Sequence, residues 1–341
     1  MNKSAEKHVA LTLFRLVIFA ISTVGNSVIL YVVLKSSSLR RSATNALLTQ
    51  LAFADLVIGI STGIKAATTF YFAQHGFAVY PKDVCVATAT PALFGILVSQ
   101  TTMMAIALDR LWSIRCPVAY YNSVGNSFFL LCHETKFHEA SLYSIFVLFV
   151  CLALSAVGTG LVYVHPTASQ NVALCALGEI VPKWFRTYWS TLSNSFTLLI
   201  YGEYSLEYHS QQLDCNLGVY IAIYVLYIRH TTTVNVNSSQ KSISGTIRAV
   251  LVSYFFLWSL PNILLLGAVL IGMPKSVFGY LSLLVGLCSG INSATNVFIY
   301  SWKHRELRAQ IRRLPVFCYF FRILTSKIKV TPTITAPSAG R

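Results

Sequence analysis

The sequence has little charge, and few acidic residues in particular. Only 11% of its 341 residues are charged, and 11 acidic residues stand against 26 basic ones. Soluble globular domains carry about 25% charged residues, so this deficit excludes an ordinary water-soluble domain. The mean hydropathy of +0.62 indicates that lipid surrounds much of the chain.

The basic excess lacks the clustering that nucleic-acid binding requires. Proteins of that class gather Lys and Arg on one water-exposed face, whereas here these residues flank apolar runs. The first run, residues 9–34, is longer than the roughly 7–15-residue core of a cleaved signal peptide, and no small-residue cleavage site follows it. We therefore expect no nucleic-acid partner, and an uncleaved signal-anchor in the first run.

Six apolar runs are long enough to cross a bilayer as helices. A helix rises 1.5 Å per residue, so roughly 20 apolar residues cover the hydrocarbon core. Polar or basic segments separate the runs, which occupy residues 9–34, 44–68, 84–114, 142–162, 247–271 and 277–300. The pattern predicts an all-α transmembrane bundle.

A seventh crossing is present in two pieces. Residues 188–201 and 218–228 are apolar but short, and residues 202–217 between them hold three of the 11 acidic residues. This insert has three interpretations: a looped segment shielded by protein or water, a break between two interfacial helices, or a retained intron. We favour the intron, because a charged residue at a helix centre costs about 2.5–3.5 kcal/mol. Without the insert, the two runs form one span.

The basic residues also predict an orientation. With seven crossings and an outside N-terminus, nine basic residues in the loops and nine from Lys303 onward are cytoplasmic, against six outside. This asymmetry follows the positive-inside rule. It predicts a multi-pass plasma-membrane protein whose residues 1–8 are extracellular. Asn2, in the sequon Asn2-Lys3-Ser4, is then a predicted glycosylation site.

Polar groups within the spans are candidate functional residues, because lipid makes them costly. Asp55 lies near the middle of the second span, with no basic residue at comparable depth. Such a carboxylate is protonated, hydrogen-bonded or bound to a cation. The oxygens of Ser99, Asn292, Ser293 and Asn296 are suited to complete a small-cation site. The alternative is that these groups only join helices by hydrogen bonds.

Four charged residues near the ends of spans have simpler interpretations. Asp109 and Arg110 end the third span, where they form a local ion pair, reach other helices or sit as interfacial charges. Arg15 and Lys65 lie near the outer ends of the first two spans. We interpret both as snorkelling anchors near the outer surface of the membrane, with no further role.

Four motifs, in order, resemble the rhodopsin-like (class A) G-protein-coupled receptors. They are Gly25-Asn26 in the first span, LAFAD at 51–55, DRL at 109–111 and NSATNVFIY at 292–300. Cys85 precedes Asp109 by 24 residues, the spacing of that family. The segments DRLWSIRCP and SYFFLWSLP are similar to those of nematode serpentine chemoreceptors, especially the sx-type class.

The resemblance implies a receptor with a small-molecule or lipid-like ligand and a heterotrimeric G-protein partner. It implies a disulfide between Cys85 and Cys175, and it implies that Arg110 turns toward the G-protein, supported by Tyr300 and by a fifth-span tyrosine, Tyr220 or Tyr224. Asp109 belongs to the same coupling motif. The implied cofactor is a structural sodium ion at most, held by Asp55, Ser99, Asn292, Ser293 and Asn296.

The ligand pocket is where the chain departs from the resemblance. Trp258 stands three residues before Pro261 instead of two, and Val297 replaces the proline of the last motif. Ala92 occupies the position at which amine receptors hold an aspartate, which argues against a biogenic amine. The predicted lining is an apolar and aromatic set, with plain helix packing as the alternative: Ala92, Phe94, Gly95, Trp258, Asn262 and Tyr280.

The chain is predicted to divide into residues 1–8, a seven-helix domain at 9–301 and a cytoplasmic tail at 302–341. Residues 302–313 alternate basic and apolar residues at helical spacing, which predicts an interfacial eighth helix. Cys318 beyond it is a predicted palmitoylation site.

The rival classes are a transporter, a non-signalling seven-helix protein and a receptor product inactivated by the insert. Transporters show internal repeats and paired broken helices, and this sequence has one broken span and no visible repeat. No His or Cys pairs with Asp55 in an enzyme-like arrangement, so we expect no catalytic activity.

Overall fold

The computed structural model describes residues 9–40, 43–77, 79–115, 139–164, 171–208, 246–247 and 249–314. They form an all-α bundle, which confirms the predicted fold class. The main helices are α1 (Val9–Lys35), α2 (Ala43–Gln74), α3 (Lys82–Arg115), α4 (Glu139–Gly160), α5 (Lys183–Tyr208), α6 (Ala249–Ile271), α7 (Lys275–Lys303) and α8 (Arg305–Arg312). Short helical turns lie at Ser37–Arg40, Leu161–Tyr163 and Leu177–Ile180.

Six of the described helices are long and apolar enough to cross a membrane, and they coincide with the six apolar runs of the sequence. Their outward faces carry large apolar side chains, such as Phe149 at 67% exposure and Leu270 at 78%. In water such faces would be unfavourable, whereas in lipid they are the solvated surface. The inward faces hold the buried polar groups described below.

Helix α5 lies where the sequence predicts the interrupted seventh crossing, and it is not among the six described helices that are both long and apolar enough to span. It runs without interruption through 26 residues, about 39 Å at 1.5 Å per residue. It begins before the first apolar piece and continues through Gly202 as far as Tyr208, inside the insert. Residues 209–217 lie outside the described residues, so the origin of the insert stays a prediction.

The helices pack in sequence order, and the ring closes where α1 meets α7. Helix α3 is central and contacts α2, α4 and α5, while α6 lies between α5 and α7. Small residues permit the closest approaches. A Cβ added at Gly59 of α2 would lie 2.7 Å from Ser22 Oγ of α1, and one at Gly95 would lie 3.0 Å from the carbonyl oxygen of Ala54.

A lid, residues 171–181, covers the end of the bundle where α3 begins. Strand β1 (Tyr80–Pro81), before α3, pairs antiparallel with strand β2 (Asn171–Val172) of the lid. The short helix Leu177–Ile180 packs against α7 and α3. Gly178 lies so close to Ser282 and to the carbonyl of Phe278 that it has no room for a side chain. The lid is thus fixed to both sides of the bundle.

Candidate functional site

A cavity lies between the helices beneath the lid. About 110 Å³ of it can hold the centre of a water-sized molecule, against about 10–15 Å³ for one buried water. Its walls come from α1, α2, α3, α5, α6, α7 and the lid. The space therefore suits a small organic molecule contacted by most of the bundle.

Two of the predicted ligand residues line this cavity. Ala92 lies on its α3 wall and Trp258 on its α6 wall. The Trp258 indole is 3% exposed and meets the Trp189 ring edge to face, with 6.4 Å between centroids. Both tryptophans line the cavity, so an aromatic corner forms where α5 meets α6.

The other four predicted ligand residues are not on the cavity wall. Gly95 packs against Ile58 of α2, and the Asn262 side chain is fully buried with its Nδ2 donating to the carbonyl of Trp258 at 2.8 Å. Tyr280 is 52% exposed, and Phe94 is half-buried. Their contact with a ligand stays a prediction without a geometric basis in this cavity.

The additional residue between Trp258 and Pro261 is accommodated by a π-helical turn. Residues Phe255–Ser259 form this turn, and the N–H of Leu260 donates to the carbonyl of Phe255, five residues back. A π-turn takes up one residue more than an α-turn while the helix on each side continues. Trp258 therefore faces the cavity although its spacing from Pro261 differs from that of the family motif.

Three basic residues line the cavity, and the sequence interpretation of Arg15 was wrong. Arg15 is 2% exposed, so it is not a headgroup anchor, and it lies with the half-buried Lys65 on the cavity wall. Arg186 of α5 is the third, and its guanidinium carbon lies 5.1 Å from the centroid of the Phe278 ring. In an apolar run of more than 20 residues, the sequence does not show which face of the helix turns toward the interior of the bundle.

A buried polar cluster lies below the cavity, around Asp55. Its carboxylate is fully buried, and Asn296 Nδ2 donates to Asp55 Oδ2 at 2.9 Å. Neither Asp55 Oδ1 nor Asn296 Oδ1 has a hydrogen-bond partner among the described residues. The two orphaned acceptor oxygens are the type of ligand that a small, hard cation prefers.

The other three predicted sodium ligands are also buried, and Ser293 is linked to Asp55 through Ser22. Ser293 Oγ donates to the carbonyl of Gly290 at 2.8 Å, and Asn292 Oδ1 accepts from Ser253 Oγ of α6 at 2.8 Å. Ser99 is 5% exposed on α3. The donor set fits a cation, although Asn292 also serves as a tie to α6.

Ser22 joins this cluster and was not among the residues predicted from the sequence. Its hydroxyl lies 2.9 Å from the backbone carbonyl of Asp55 and 3.0 Å from Ser293 Oγ. Asn26 Nδ2 donates to the Ser22 carbonyl at 2.9 Å. A single serine in an apolar helix is an ordinary sequence feature, so only the packing of α1 onto α2 and α7 identifies it as a junction.

The disulfide implied by the resemblance is present. Cys85 at the start of α3 is bonded to Cys175 of the lid, and the two Cα atoms lie 5.2 Å apart. Both cysteines are buried. The bond ties the lid to the top of α3, directly beside the β1–β2 pairing.

The predicted coupling residues lie at the opposite end of the bundle. Asp109 and Arg110 belong to the last turns of α3, and their side chains are outside the description. Tyr300 is 1% exposed and faces a small cavity shared with Asn45 and His304. Its hydroxyl has no hydrogen-bond partner among the described residues.

Helix α8 corresponds to the predicted amphipathic helix, and it is connected to α7 by His304. The Nδ1 atom of His304 accepts a hydrogen bond from the N–H of Leu307 and so caps α8. Its Nε2 lies 3.0 Å from Asn45 Oδ1 of α2. Leu307 and Ile311 are buried on one face of α8. Asn2, Cys318, Tyr220 and Tyr224 lie outside the described residues, and their predicted roles are untested.

Comparisons with known proteins agree with this arrangement. The chain is 29% identical over 126 residues to 5-hydroxytryptamine receptor 4 of Rattus norvegicus, covering 36% of this chain and 29% of the relative. It is 30% identical over 101 residues to the neuromedin-K receptor of Cavia porcellus, covering 30% of this chain and 22% of the relative. The chain thus spans about a quarter of the length of these curated relatives.

The family comparison covers far more of the sequence than the pairwise ones. The model of the family described as serpentine type 7TM GPCR chemoreceptor Srsx matches residues 19–315, from α1 to just beyond α8. That range includes the disulfide, the polar cluster and all of the cavity-lining residues except Arg15 and Ile18. The chain therefore belongs to the Srsx family of serpentine seven-transmembrane chemoreceptors.

Proposed function

We propose that this protein is a chemosensory receptor of the plasma membrane, with its N-terminus outside the cell. It binds a small molecule in the cavity beneath the lid and passes the signal to a heterotrimeric G-protein. Its family consists of receptors, not enzymes. The observation that carries the proposal is a continuous set of contacts from the cavity wall to the buried polar cluster.

This set of contacts runs along α6 and α7. Trp258 touches the cavity, and Ser253 lies five residues earlier on the same helix, across the π-turn. Ser253 donates to Asn292 of α7, and α7 carries Asn296, which donates to Asp55. A ligand that packs on Trp258 therefore bears on the helix that is hydrogen-bonded to the polar cluster.

The signal itself is a shift between two conformations of the bundle. A ligand moves that equilibrium only by binding one state more tightly than the other. The π-turn is suited to such a change, because its wide hydrogen bonds mark a place where the helix can repack. Arg110, at the end of α3 away from the cavity, is the proposed contact with the G-protein.

A sodium ion at the polar cluster would favour the resting state. Asp55, Asn296, Asn292, Ser293 and Ser99 are the proposed ligands, supported by the two orphaned acceptor oxygens of Asp55 and Asn296. The ion would supply a positive charge that lets the buried carboxylate remain ionised. Any movement of α7 relative to α2 would then change the site.

The test is G-protein activation in cells that express the receptor with a fluorescent tag. Dissociation of Gα from Gβγ is recorded by energy transfer while a library of small water-soluble compounds is applied. We expect at least one compound to activate the wild type, and Arg110→Ala to abolish the response at matched surface expression. Arg305→Ala, an exposed arginine of α8, is the matched control and keeps most of the response.

A different result would reject the receptor proposal. If compounds that bind the purified protein leave every G-protein class unaffected, or if the same compounds are carried across the membrane in vesicles, the protein is not this kind of receptor. Vesicle uptake of the bound compounds therefore separates the transporter class from the receptor class.

A further inference from the structure

A row of small polar side chains follows one face of α5. Its members lie three or four residues apart along the helix and are all buried: Ser190, Ser193, Asn194 and Thr197. Residues at this spacing are neighbours on a helix surface. In a membrane such a face turns toward protein, because lipid offers no partner to a hydroxyl or an amide. We call it the α5 polar row.

Two contacts link the α5 polar row to α6. The hydroxyls of Thr197 and Ser259 lie 3.4 Å apart, and Asn194 Nδ2 donates across 3.5 Å to the carbonyl oxygen of Asn262. These contacts follow one another toward the lid, and Ser190 lies one turn further along α5 in that direction. Hydrogen bonds between helices hold membrane bundles together, so the two deeper positions have a structural role.

Ser190 continues this pattern without a partner on α6. It is 1% exposed and lines the cavity, and its hydroxyl has no hydrogen-bond partner among the described residues. The next cavity-lining residue of α6 beyond Asn262 is Leu265, whose side chain has no polar group. A buried hydroxyl without a partner loses its hydrogen bonds to water and gains none in return. A molecule in the cavity is placed to supply the partner.

Other unpartnered groups lie on the cavity wall or just below it. Trp258 lines the cavity, and its indole N–H has no acceptor in the described part of the chain. Gln100 of α3 is fully buried four residues beyond Ile96, a cavity-lining residue, and neither polar atom of its amide has a partner among the described ranges. These groups offer both donors and acceptors, and none of them carries a charge.

The chemistry of these groups selects the polar part of a ligand. A hydroxyl, carbonyl or amide can exchange hydrogen bonds with Ser190 and Trp258 in place of those that it makes with water. A charged head would lose its hydration beside groups that carry no opposite charge, which is far more costly. Much of the remaining wall is aromatic or aliphatic, including Trp189, Phe185 and Ile96, and it favours an apolar body.

The basic residues of the wall do not require an anionic ligand. Arg15 and Lys65 are each engaged with other groups of the protein. Arg186 packs on the face of the Phe278 ring, with its guanidinium carbon 5.1 Å from the centroid, and it lies one turn nearer the lid than Ser190. The head of the ligand is therefore selected by the uncharged groups deeper in the cavity.

We propose that the Ser190 hydroxyl and the Trp258 indole N–H form a hydrogen-bonding subsite of the cavity. It takes the uncharged polar head of a small apolar molecule, such as an alcohol, a ketone or an amide. This subsite belongs to the ligand cavity of the proposed receptor, so it rests on that function and narrows the class of ligand. A head bonded to both residues also adds a connection between α5 and α6 beside the two existing ones.

The test is direct binding of matched probes to the purified full-length receptor in neutral lipid nanodiscs, without a G-protein. Each set shares one body and varies the head: 2-phenylethanol, ethylbenzene, 2-phenylethylamine and phenylacetate, then 2-(indol-3-yl)ethanol, 3-ethylindole, tryptamine and indole-3-acetate. Thermal stabilisation titrated with each probe gives its Kd. We expect the alcohol of at least one set to bind fivefold or more tightly than the other three members, about 1 kcal/mol.

Variants then assign this preference to the subsite. Ser190→Ala should lower the affinity for the alcohol by fivefold or more and leave the alkyl member of the set within about twofold. Ser190→Cys nearly keeps the size of the side chain, but a thiol is a weak hydrogen-bonding group, so the same loss there excludes a packing effect. Trp258→Phe removes the indole N–H and should reduce the preference for the alcohol over the alkyl member.

Thr187→Ala is the matched control. The exposed Thr187 hydroxyl lies one turn from Ser190 on α5, donates to the carbonyl of Lys183 and does not line the cavity. This variant should bind every probe as the wild type does. A loss in Thr187→Ala equal to the loss in Ser190→Ala overturns the subsite.

The remaining outcomes separate the subsite from the receptor proposal. If the alcohol of neither set binds more tightly than its counterparts, including no binding of any probe, the subsite is wrong. If an alcohol binds as expected but no G-protein responds to it, the receptor proposal fails while the subsite stands. If the G-protein responds only to compounds that bind Ser190→Ala as tightly as wild type, the subsite fails while the receptor proposal stands.

Discussion

The Nε2 atom of His304 lies 3.0 Å from Oδ1 of Asn45, so one imidazole joins the start of α8 to α2. Since Nδ1 accepts from the N–H of Leu307, Nε2 carries the proton and donates to Asn45. The bond to the N–H of Leu307 requires the neutral ring, whereas Nε2 can donate to Asn45 in either protonation state. A second proton on Nδ1 would break the cap of α8.

The first prediction is therefore a loss of stability in mild acid that depends on His304. Burial lowers the pKa of His304 from its ordinary value of 6.5, and the nearby Glu306 carboxylate partly opposes this. The unfolded chain takes up the proton first as pH falls below 6.5, so the free energy of unfolding falls between 6.5 and the lower pKa of the folded protein. The slope is at most about 1.4 kcal/mol per pH unit.

Thermal unfolding of the purified receptor between pH 8 and pH 5 measures this effect. His304→Gln should flatten the acid limb relative to wild type, while the matched His75→Gln, at an exposed histidine, keeps it. An identical pH profile in wild type and His304→Gln would show that the interpretation of this contact is wrong.

The second prediction concerns the contact between Gly25 and Val297. A Cβ added at Gly25 would overlap the branched side chain of Val297, which stands where the family motif has proline. Alanine normally favours a helix by about 1 kcal/mol over glycine. Gly25→Ala should nevertheless destabilise the receptor by about 1–3 kcal/mol, because the core is overpacked.

A double-mutant cycle isolates this contact. In a Val297→Ala background the overlap with both γ-methyl groups disappears and only a 3.0 Å contact with Cβ remains, so the penalty of Gly25→Ala in thermal unfolding should shrink or vanish. If the penalty has the same size in both backgrounds, the overlap with Val297 is not its cause.

The third prediction is sodium dependence of stability at the polar cluster. Replacing potassium by sodium at constant ionic strength should raise the melting temperature of the wild type, because an ion that binds only the folded state stabilises it. Asp55→Asn should remove the difference. Asp83→Asn changes an exposed carboxylate at the start of α3 and should retain it. Equal sodium dependence in Asp55→Asn would exclude the proposed site.

The fourth prediction tests the π-turn by deletion. Removing Phe256, which is 52% exposed within the turn, should convert the turn to regular α-helix with the two flanks still in register. Removing Leu264, 51% exposed in the regular part of α6, should rotate the flanks by about 100° relative to each other. We expect near-normal surface expression for the first deletion and severe loss for the second. If both deletions reduce surface expression equally, the π-turn is not the reason that the first deletion is tolerated.

The sequence alone determined the six long spans, and its resemblance to a known family implied the disulfide that joins the lid to α3. An apolar run of more than 20 residues in lipid has one stable form, because every backbone group must be bonded within the segment. The six long runs therefore map directly onto helices. The resemblance to the receptor family, in which Cys85 stands 24 residues before Asp109, implied the disulfide between Cys85 and Cys175, and the structure confirms it.

The tertiary structure decided which face of each helix is functional. In the sequence, Arg15 and Lys65 look like headgroup anchors. The position of a residue along a span can be read from the sequence, but the direction in which the helix turns its side chain cannot. Ser22 becomes a junction only when α1 meets α2 and α7. The orientation of Trp258 depends on a turn that absorbs one residue, which spacing from Pro261 does not reveal. Rotation and register are set by packing against neighbouring helices, so they follow from the bundle as a whole.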